Sequence, residues 1–219
     1  MEKEFNFEKT KAQNLRRAKK IIRTAHFQNI YILKCVDWKQ NRDVILTELE
    51  SLEFPVIIRS SAVNEDTENA SNAGAYLSKL DIYQDGIEES ISEVIGSYGE
   101  WDDENEVLIQ PMLKNVIASG VIFSHDPKTG SPYKVFNWQD GEDTTAVTSG
   151  FGGKIFYCVT NHYSNVPSRL SKTIPLLQEI DEVLNNVSHK SEQQVRSFLG
   201  SFLFTKDTVN KKTKVLFLG

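Results

Sequence analysis

An arginine followed by two serines is the sequence feature whose chemistry is easiest to define. Arg59, Ser60 and Ser61 come directly after a short apolar run. A planar guanidinium pairs bidentately with phosphate oxygens, and neighbouring hydroxyls add further hydrogen-bond donors. The pattern therefore favours an oxyanion site at the end of a strand. A structural ion pair from Arg59 to Glu65 or Asp66 accounts for the same residues equally well.

Two further stretches could contact a nucleotide. Lys11 lies in the sequence Thr-Lys-Ala-Gln-Asn-Leu at residues 10–15; taken alone, it is typical of a surface lysine on an amphipathic helix. Gln110, Pro111 and Met112 follow an apolar run, and proline ends the hydrogen-bond ladder of a strand. Backbone groups left free there can hold adenine through its amine and ring nitrogen. A simple strand terminator is the alternative interpretation.

Other kinds of site are not supported by the sequence. Gly150, Gly152 and Gly153 have neither the dinucleotide-binding spacing nor that of a phosphate-binding P-loop. The four histidines are scattered, and no Ser-His-Asp or Cys-His arrangement is evident. The two cysteines, Cys35 and Cys158, give no disulfide framework and no zinc site.

Composition bounds the partners and the compartment. The formal net charge of -5 argues against nucleic acid, and the basic run at residues 16–23 fits a solvated helix face or, in part, a phosphate-facing one. No apolar window approaches a membrane span of about 18 residues. We therefore expect a cytoplasmic protein that binds neither nucleic acid nor membrane.

Helices and short strands must position these residues. Helical periodicity predicts helices over residues 7–25, from Asn41 to residue 52, over 86–98 and over 174–187. Short apolar runs predict strands at residues 31–33, 55–59, 75–80, 106–110, 119–123, 134–138, 144–148 and 154–159. Residues 60–74 are expected to form a loop, and residues 125–130 a turn. This mixture indicates an α+β or α/β fold, with a boundary between two lobes near residues 100–105.

Three of these features occur together, in order, in one family. Residues 56–74 resemble the signature V-x-V-R-S-S-A…E-D…A-S-x-A-G of the ATP-binding domain of the phosphoenolpyruvate synthase and pyruvate phosphate dikinase family. Lys11 resembles the lysine of G-G-K-x-x-N-L, although Lys9 and Thr10 replace the glycines. Residues 107–112 resemble V-x-V-Q-x-M, and residues 119–130 resemble S-G-V-x-F-T-x-D-P-x-T-G.

The resemblance implies an α+β ATP-grasp fold with two lobes, mixed or antiparallel sheets and flanking helices. We expect residues 1–104 to form the phosphate-contacting lobe and residues 105–219 to form a C-terminal lobe, apparently truncated. By resemblance, Lys11 and Arg59 contact the phosphates and act in catalysis, with Ser60 and Ser61 beside them. The adenine pocket is lined by Gln110, Pro111 and Met112.

The family activity implied is that of an ATP-dependent phosphotransferase, or kinase, with Mg²⁺ assisting. ATP phosphorylates a histidine on a separate swivelling domain, which passes the phosphoryl group to an acceptor. The loop at residues 64–74 is most similar to glutamine kinase-type members, so glutamine and pyruvate are candidate acceptors. An expected metal-binding glutamate is missing near residues 199–204 and 214–219, and a Gln-x-Arg-Pro motif does not follow. The chain is therefore expected to be either a truncated product or a stand-alone binding or regulatory module.

Overall fold

The structure of the protein, a computed structural model, describes residues 10–63, 66–67, 70–71, 76–123, 126, 131, 133–141, 153–159, 161–185 and 215–218. Within these residues, the α-helices are α1 (Lys11–Ile21), α2 (Cys35–Leu49), α3 (Ile87–Gly96) and α4 (Ile174–Asn185). Two 3-10 helices lie at Gln84–Gly86 and Ser168–Thr173. The strands are β1 (Tyr31–Lys34), β2 (Val56–Ser61), β3 (Asp66–Thr67), β4 (Ala70–Ser71), β5 (Ser78–Ile82), β6 (Glu106–Pro111), β7 (Ala118–Phe123), β8 (Tyr133–Asp140), β9 (Lys154–Val159) and β10 (Val215–Leu218).

Two four-stranded sheets organise these elements. The first sheet has the strand order β1-β6-β2-β5 and the second has the order β10-β7-β8-β9, with a two-stranded β3-β4 pair beside them. Every pairing among the described strands is antiparallel. The α+β fold class, with antiparallel sheets and flanking helices, is therefore confirmed.

The first sheet buries apolar side chains on both faces because alternate residues of a strand point to opposite sides. Val107 and Ile109 of β6 join one buried cluster with side chains of α2 and α3. Leu108, between them, joins a second cluster with α1, α4 and the inner residues Ile122 and Phe136 of the second sheet. Helix α1 therefore packs between the first sheet and the second.

Sheet membership does not follow the predicted division at residues 104 and 105. Strand β6 lies after that division, yet it is a central strand of the first sheet. Helix α1 lies before it, yet its buried residues Ala12, Leu15 and Ala18 pack with residues of the second sheet. Each predicted lobe therefore contributes one element to the other half of the structure: β6 belongs to the first sheet, and α1 packs with the second sheet.

Helix α1 is shorter at its C-terminal end than the predicted helix over residues 7–25. It ends at Ile21, and Ile22 is already extended. The carboxylate of Glu179 in α4 accepts hydrogen bonds from the backbone N–H of Arg23 at 2.9 Å and of Thr24 at 2.9 Å. Burial opposes ionisation of Glu179, but these bonds and that from the Thr24 hydroxyl hold its pKa below the usual value. A tertiary contact, rather than a local stop signal, ends the helix.

Helix α2 also differs from the prediction. It begins at Cys35 rather than at Asn41, because buried Cys35 and Trp38 extend its apolar face towards the first sheet. Asn41 lies inside the helix with φ −133° and ψ 33°, so it marks a kink between two helical segments. The backbone N–H of Cys35 donates to the carbonyl of Asn105 at 2.9 Å, which fixes the start of the helix.

The segment expected to be a loop at residues 60–74 begins later than predicted. Strand β2 extends to Ser61, and β3 and β4 form a short ladder in which Asp66 pairs with Ser71. Strand β5 is shifted towards the C-terminus relative to the prediction over residues 75–80. The predicted strand at residues 144–148 lies outside the described residues. Of the predicted turn at residues 125–130 only Asp126 is described, and its N–H donates to the Ser131 carbonyl at 2.8 Å.

Two features hold the second sheet together and attach it to α4. A Cβ placed on Gly120 of β7 would lie 2.6 Å from the carbonyl oxygen of Asn137 and 2.8 Å from the Cα of Trp138. The two strands approach this closely only because residue 120 is glycine. On β8, the buried ammonium of Lys134 donates to both carboxylate oxygens of Asp181, at 2.5 and 2.7 Å, and so anchors α4.

In the described part of the chain, no helix has the length and apolarity needed to cross a membrane.

Candidate functional site

Most of the predicted site residues lie on two neighbouring strands of the first sheet, whereas Lys11 lies on α1 and Met112 directly follows β6. Ser61 is paired with Glu106, Arg59 with Leu108 and Ile57 with Gln110 in the antiparallel β2–β6 ladder. Because side chains alternate along a strand, these three pairs share one face of the sheet. It is the face against which α1 and the second sheet pack, since Leu108 belongs to their cluster.

The N-terminus of α1 is attached to the Ser61 end of this ladder. The hydroxyl of Thr10 and the side-chain amide of Gln13 both donate to the carboxylate of Glu106, the latter at 2.9 Å. The backbone N–H of Ala12 donates to the hydroxyl oxygen of Ser61 at 2.8 Å. These contacts place Lys11, which lies between Thr10 and Ala12, beside the ends of β2 and β6.

The first turn of α1 is stabilised from within as well. Thr10 is the N-cap, and its hydroxyl oxygen accepts from the N–H of Gln13 at 3.2 Å. The amide of Asn14, which is fully buried, donates to the Thr10 carbonyl at 3.0 Å. Side-chain oxygens at an N-cap satisfy amides that lack an intrahelical partner. The asparagine of the Lys-Ala-Gln-Asn-Leu stretch therefore shapes the turn that carries Lys11.

Arg59 and the two serines differ in how they can act. Arg59 is half-buried, whereas Ser60 is 7% exposed and Ser61 is fully buried. The backbone N–H of Ser61 donates to the hydroxyl of Tyr98 at 3.1 Å, and that hydroxyl donates to the Glu106 carbonyl at 2.5 Å. The backbone N–H of Ser61 thus bonds to Tyr98, and its hydroxyl bonds to the first turn of α1. The predicted contact of Ser60 and Ser61 with a nucleotide stays a prediction.

Gln110, Pro111 and Met112 lie at the opposite end of the same ladder. Ser61 lies four residue steps along the strand from Ile57, the partner of Gln110, which corresponds to roughly 13 Å. The structure therefore brings Lys11, Arg59 and Ser61 together at one end and leaves the other three residues at the far end. Arg59, Ser61 and Gln110 share one face of the sheet, so one elongated ligand could meet both ends.

Strand β6 ends at Pro111, as predicted, but one backbone hydrogen bond, to the residue just before β2, continues beyond it. Pro111 is paired with Val56, and the backbone N–H of Met112 still donates to the Pro55 carbonyl at 2.8 Å. Because backbone groups of successive strand residues point to opposite sides, the Pro111 carbonyl points away from β2. It faces the side of β6 where pairing with β1 has already ended at the Tyr31–Ile109 pair. Proline is tolerated here because its missing N–H removes no ladder bond.

Gln110 carries a second feature of interest. Its side chain is 9% exposed, and among the described residues its Oε1 atom has no hydrogen-bond partner. A buried amide oxygen without a hydrogen-bond partner is costly, and such groups usually accept a hydrogen bond from a ligand, a water molecule or a protein donor. The Gln110 side chain shares a face with Arg59, so the donor would approach from the α1 side of the sheet.

Sequence reasoning missed the residues that hold this arrangement in place. Glu106 opens an apolar strand and Asn105 was assigned to a boundary, so neither drew attention. Yet Glu106 is 3% exposed, and the Asn105 side chain accepts from the N–H of Val63 at 2.9 Å. A carboxylate immediately before a buried strand was the available signal, since acidic residues are seldom fully buried without partners.

Metal ligation is not evident in the described part of the molecule. No group of three or more His, Cys, Asp or Glu side chains that could hold a metal ion occurs among the described residues. The stretch at residues 199–204 lies outside the described residues. Val215–Leu218 forms β10, which pairs with Gly120–Phe123 of β7.

Comparison with known proteins gives one family. The family described as "Pyruvate phosphate dikinase, AMP/ATP-binding domain" matches residues 8–174, which is well over half of the chain. No curated protein matches the chain. The matched segment contains every residue predicted for the site, from Lys11 to Met112.

Several solved structures are similar at low sequence identity. PH1788 from Pyrococcus horikoshii is 12% identical, with 85% of this chain and 86% of that chain covered and a TM-score of 0.43. D-alanine-D-alanine ligase from Helicobacter pylori is 14% identical, with 81% and 47% covered and a TM-score of 0.44. A dinucleotide-forming acetyl-coenzyme A synthetase 1 from Ca. Korarchaeum cryptofilum, in complex with coenzyme A and Ca-AMPCP, is 12% identical, with 89% and 69% covered and a TM-score of 0.40.

Proposed function

Because the chain belongs to the family of pyruvate phosphate dikinase AMP/ATP-binding domains, we propose that it binds ATP along the β2–β6 face of the first sheet. Lys11 and Arg59 neutralise the phosphates at one end of the face. The segment Gln110–Met112 holds adenine at the other end. The family and the α+β architecture together support an ATP-grasp nucleotide-binding domain.

The observation that carries the proposal is the position of Lys11 relative to Arg59. The bond from Ala12 N–H to the Ser61 hydroxyl, 2.8 Å long, joins the first turn of α1 to the end of β2. Arg59 lies two residues before Ser61 on the same face. A lysine in the first turn of α1 and an arginine near the end of β2 together suit a polyphosphate, because lysine supplies a point charge and arginine a bidentate fork.

The adenine end is supported by the backbone at Pro111. Its carbonyl points to the side of β6 that β1 leaves open, and a carbonyl there can accept a hydrogen bond from the exocyclic amine of adenine. The Oε1 atom of Gln110, which has no hydrogen-bond partner among the described residues, offers a second acceptor on the face that Gln110 shares with Arg59. The distance of roughly 13 Å along the strand between the two ends suits an elongated nucleotide rather than a small anion.

In the proposed reaction, ATP gives a phosphoryl group to a histidine on a swivelling domain, which transfers it to a small acceptor such as glutamine or pyruvate. A phosphotransferase of this kind works mainly by positioning and charge neutralisation. Lys11 and Arg59 stabilise charge that builds on the transferred phosphoryl group, and the buried ends of β2 and β6 hold them in place. The two four-stranded sheets, with the helices packed on them, would enclose the nucleotide.

Mg²⁺ is proposed to arrive with ATP. Among the described residues, no group of three or more His, Cys, Asp or Glu side chains that could hold a metal ion occurs. The phosphate oxygens of the nucleotide are ordinary Mg²⁺ ligands.

Thermal unfolding with and without millimolar Mg-ATP tests the proposal. A ligand that binds only the folded state at about 100 times its Kd adds about 2.7 kcal/mol. For a chain of this size that corresponds to a rise in Tm of about 5–10 °C. Arg59→Ala and Lys11→Ala should each remove most of the rise.

Arg16→Ala is the matched control, because Arg16 is an exposed basic residue on the same helix as Lys11. It removes the same charge and should leave the rise unchanged. An equal loss for Arg16→Ala would mean that the nucleotide responds only to overall charge. A cooperatively unfolding parent protein whose Tm does not respond to Mg-ATP would refute the proposal.

A further inference from the structure

Glu106 is a buried carboxylate that the proposed chemistry does not use. It is 3% exposed at the first position of β6. Its two oxygens accept from different residues of α1, one from the Thr10 hydroxyl and the other from the Gln13 amide at 2.9 Å. These donors precede it by 96 and 93 residues in the sequence. One carboxylate therefore joins the first turn of α1 to the centre of the sheet.

A second attachment fixes the orientation of that turn. Ala12 N–H donates to Ser61 on β2, while Thr10 and Gln13 are held by Glu106 on β6. The turn is thus attached to both central strands of the sheet. Lys11 lies between attached neighbours on each side, so its backbone cannot shift without breaking one of these hydrogen bonds.

A carboxylate suits this position better than an amide would. It has only acceptor atoms, and both of its partners are donors. Its charge also lies at the N-terminus of α1, where the helix dipole favours an anion. A glutamine has one acceptor oxygen and no charge, and it turns its NH₂ group towards the second partner, which must then accept instead of donate. Glu106→Gln therefore preserves volume while loosening the attachment.

We propose that Glu106 is a positioning residue for nucleotide binding: by holding Thr10 and Gln13 it places the Lys11 ammonium at the phosphates. The role rests on the proposed function, because it requires that Lys11 contacts phosphate. A positioning group of this kind contributes by limiting the conformations of the group that binds. It is specific to phosphate and does not affect the adenine end.

A purely structural role for Glu106 predicts a different pattern. A structural residue would change stability and would weaken every ligand of the folded protein alike. A positioning residue weakens ATP but leaves adenosine unaffected, and its effect disappears once Lys11 is removed. Residues that act through one another are non-additive in this way.

The experiment measures the Kd of Mg-ATP and of adenosine for the parent protein, Glu106→Gln, Lys11→Met and the double variant. We expect Glu106→Gln to lower ATP affinity on the order of tenfold, the lower end of the range for second-layer partners at metal sites. Adenosine affinity should be unchanged. In the Lys11→Met background, Glu106→Gln should cause no further loss of ATP affinity.

Two results would overturn the inference while leaving the proposed function intact. The first is an unchanged ATP affinity for Glu106→Gln when Lys11→Met lowers it. The second is an equal loss in both backgrounds, which would make Glu106 structural. A parent protein that binds neither ATP nor adenosine would instead overturn the proposed function, and the inference with it.

Hydrogen exchange tests the attachment without any nucleotide. The amides of Ala12 and Gln13 should exchange faster in Glu106→Gln, whereas those of α3 should not change. Unchanged exchange in the first turn of α1 would also overturn the inference. Should Glu106→Gln fail to fold, Gln13→Met removes the other donor to the same carboxylate and keeps the bond from the Gln13 backbone N–H to the Thr10 hydroxyl.

Discussion

The backbone N–H of Ala12 lies 2.8 Å from the hydroxyl oxygen of Ser61, a residue 49 positions further along the chain. Ser61 is completely buried, and so is Ala12. This hydrogen bond satisfies one of the amides at the start of α1 that have no partner within the helix. The serine at the end of the Arg-Ser-Ser stretch is therefore part of the scaffold that carries Lys11.

Replacing Ser61 with alanine should lower stability by about 1–3 kcal/mol, because it leaves the buried Ala12 N–H without an acceptor. The free energy of unfolding from urea titration measures this loss. Ser92→Ala is the matched control, since Ser92 is an exposed serine on α3 that bonds only to its own helix. If Ser61→Ala is as stable as Ser92→Ala, the hydrogen bond contributes nothing.

Much of the arrangement followed from local sequence because local forces determine it. The apolar runs that predicted β2, β6 and β9 are buried or edge strands in the structure, at nearly the predicted bounds. Their short length and abrupt polar ends left few alternatives. That Arg59 and Gln110 share a face depends in addition on the register of β2 against β6, which the period of two alone does not determine.

What the sequence did not predict depends on contacts between distant residues. Nothing near Ile21 ends α1, because the partner that captures the next amides is Glu179 in α4. Nothing near Glu106 identifies Thr10 and Gln13 as its partners. Such pairings depend on how elements pack, and neither propensity nor periodicity carries that information.

Gly120 should not tolerate a side chain. An added Cβ would lie 2.6 Å from a backbone oxygen of β8 and 2.8 Å from a backbone carbon, so β7 and β8 would have to separate. We expect Gly120→Ala to cost about 1–3 kcal/mol, as overpacking generally does. Circular-dichroism melting of the variant measures the change.

Gly96 provides the control for that substitution. It lies at the end of α3 with no atom within 4 Å of an added Cβ. Gly96→Ala should be neutral or should stabilise the protein by about 0.5–1 kcal/mol, because alanine favours the helix. A Gly120→Ala variant as stable as Gly96→Ala would contradict the close strand approach.

The thiol of Cys35 should stay protonated at pH values where a free cysteine ionises. Burial, together with the negative charges of Glu106 and Asp102, raises its pKa from 9.0 to about 12. Below the unfolded pKa both states are protonated, and the contribution to stability is complete. As the pH rises from 9.0 towards 12, the unfolded chain loses this proton first, so stability falls.

Urea unfolding at a series of pH values across that range, on the parent protein and on Cys35→Ala, measures the effect. Cys35→Ala should have the shallower alkaline decline, although it is less stable at neutral pH because the thiol fills a buried site. Thiol reagent at pH 8 should modify the native protein far more slowly than the urea-unfolded chain, in which both cysteines react. Equal alkaline slopes for the two proteins would show that Cys35 keeps an ordinary pKa.

Lys134 and Asp181 form the most buried ion pair among those described, with 3% and 27% of their side chains exposed. Removing one partner of such a pair leaves a buried charge uncompensated, which costs about 3–5 kcal/mol. Asp181→Asn keeps the shape of the side chain and should destabilise the protein by an amount near this range, reduced by the partial exposure of Asp181. Lys134→Met removes the buried charge itself and should cost less, because an apolar methionine can occupy the buried site without leaving an unpaired charge there.

The double variant Lys134→Met, Asp181→Asn decides whether the charges interact. Its loss of stability should be smaller than the sum of the two single losses, because neither charge is then left without the other. Lys114→Met with Glu53→Gln is the matched control, since that pair lies at the surface with 56% and 68% of its side chains exposed and should show a much smaller coupling. Equal couplings for the two pairs, measured by urea unfolding, would mean that burial adds nothing to the attachment of α4.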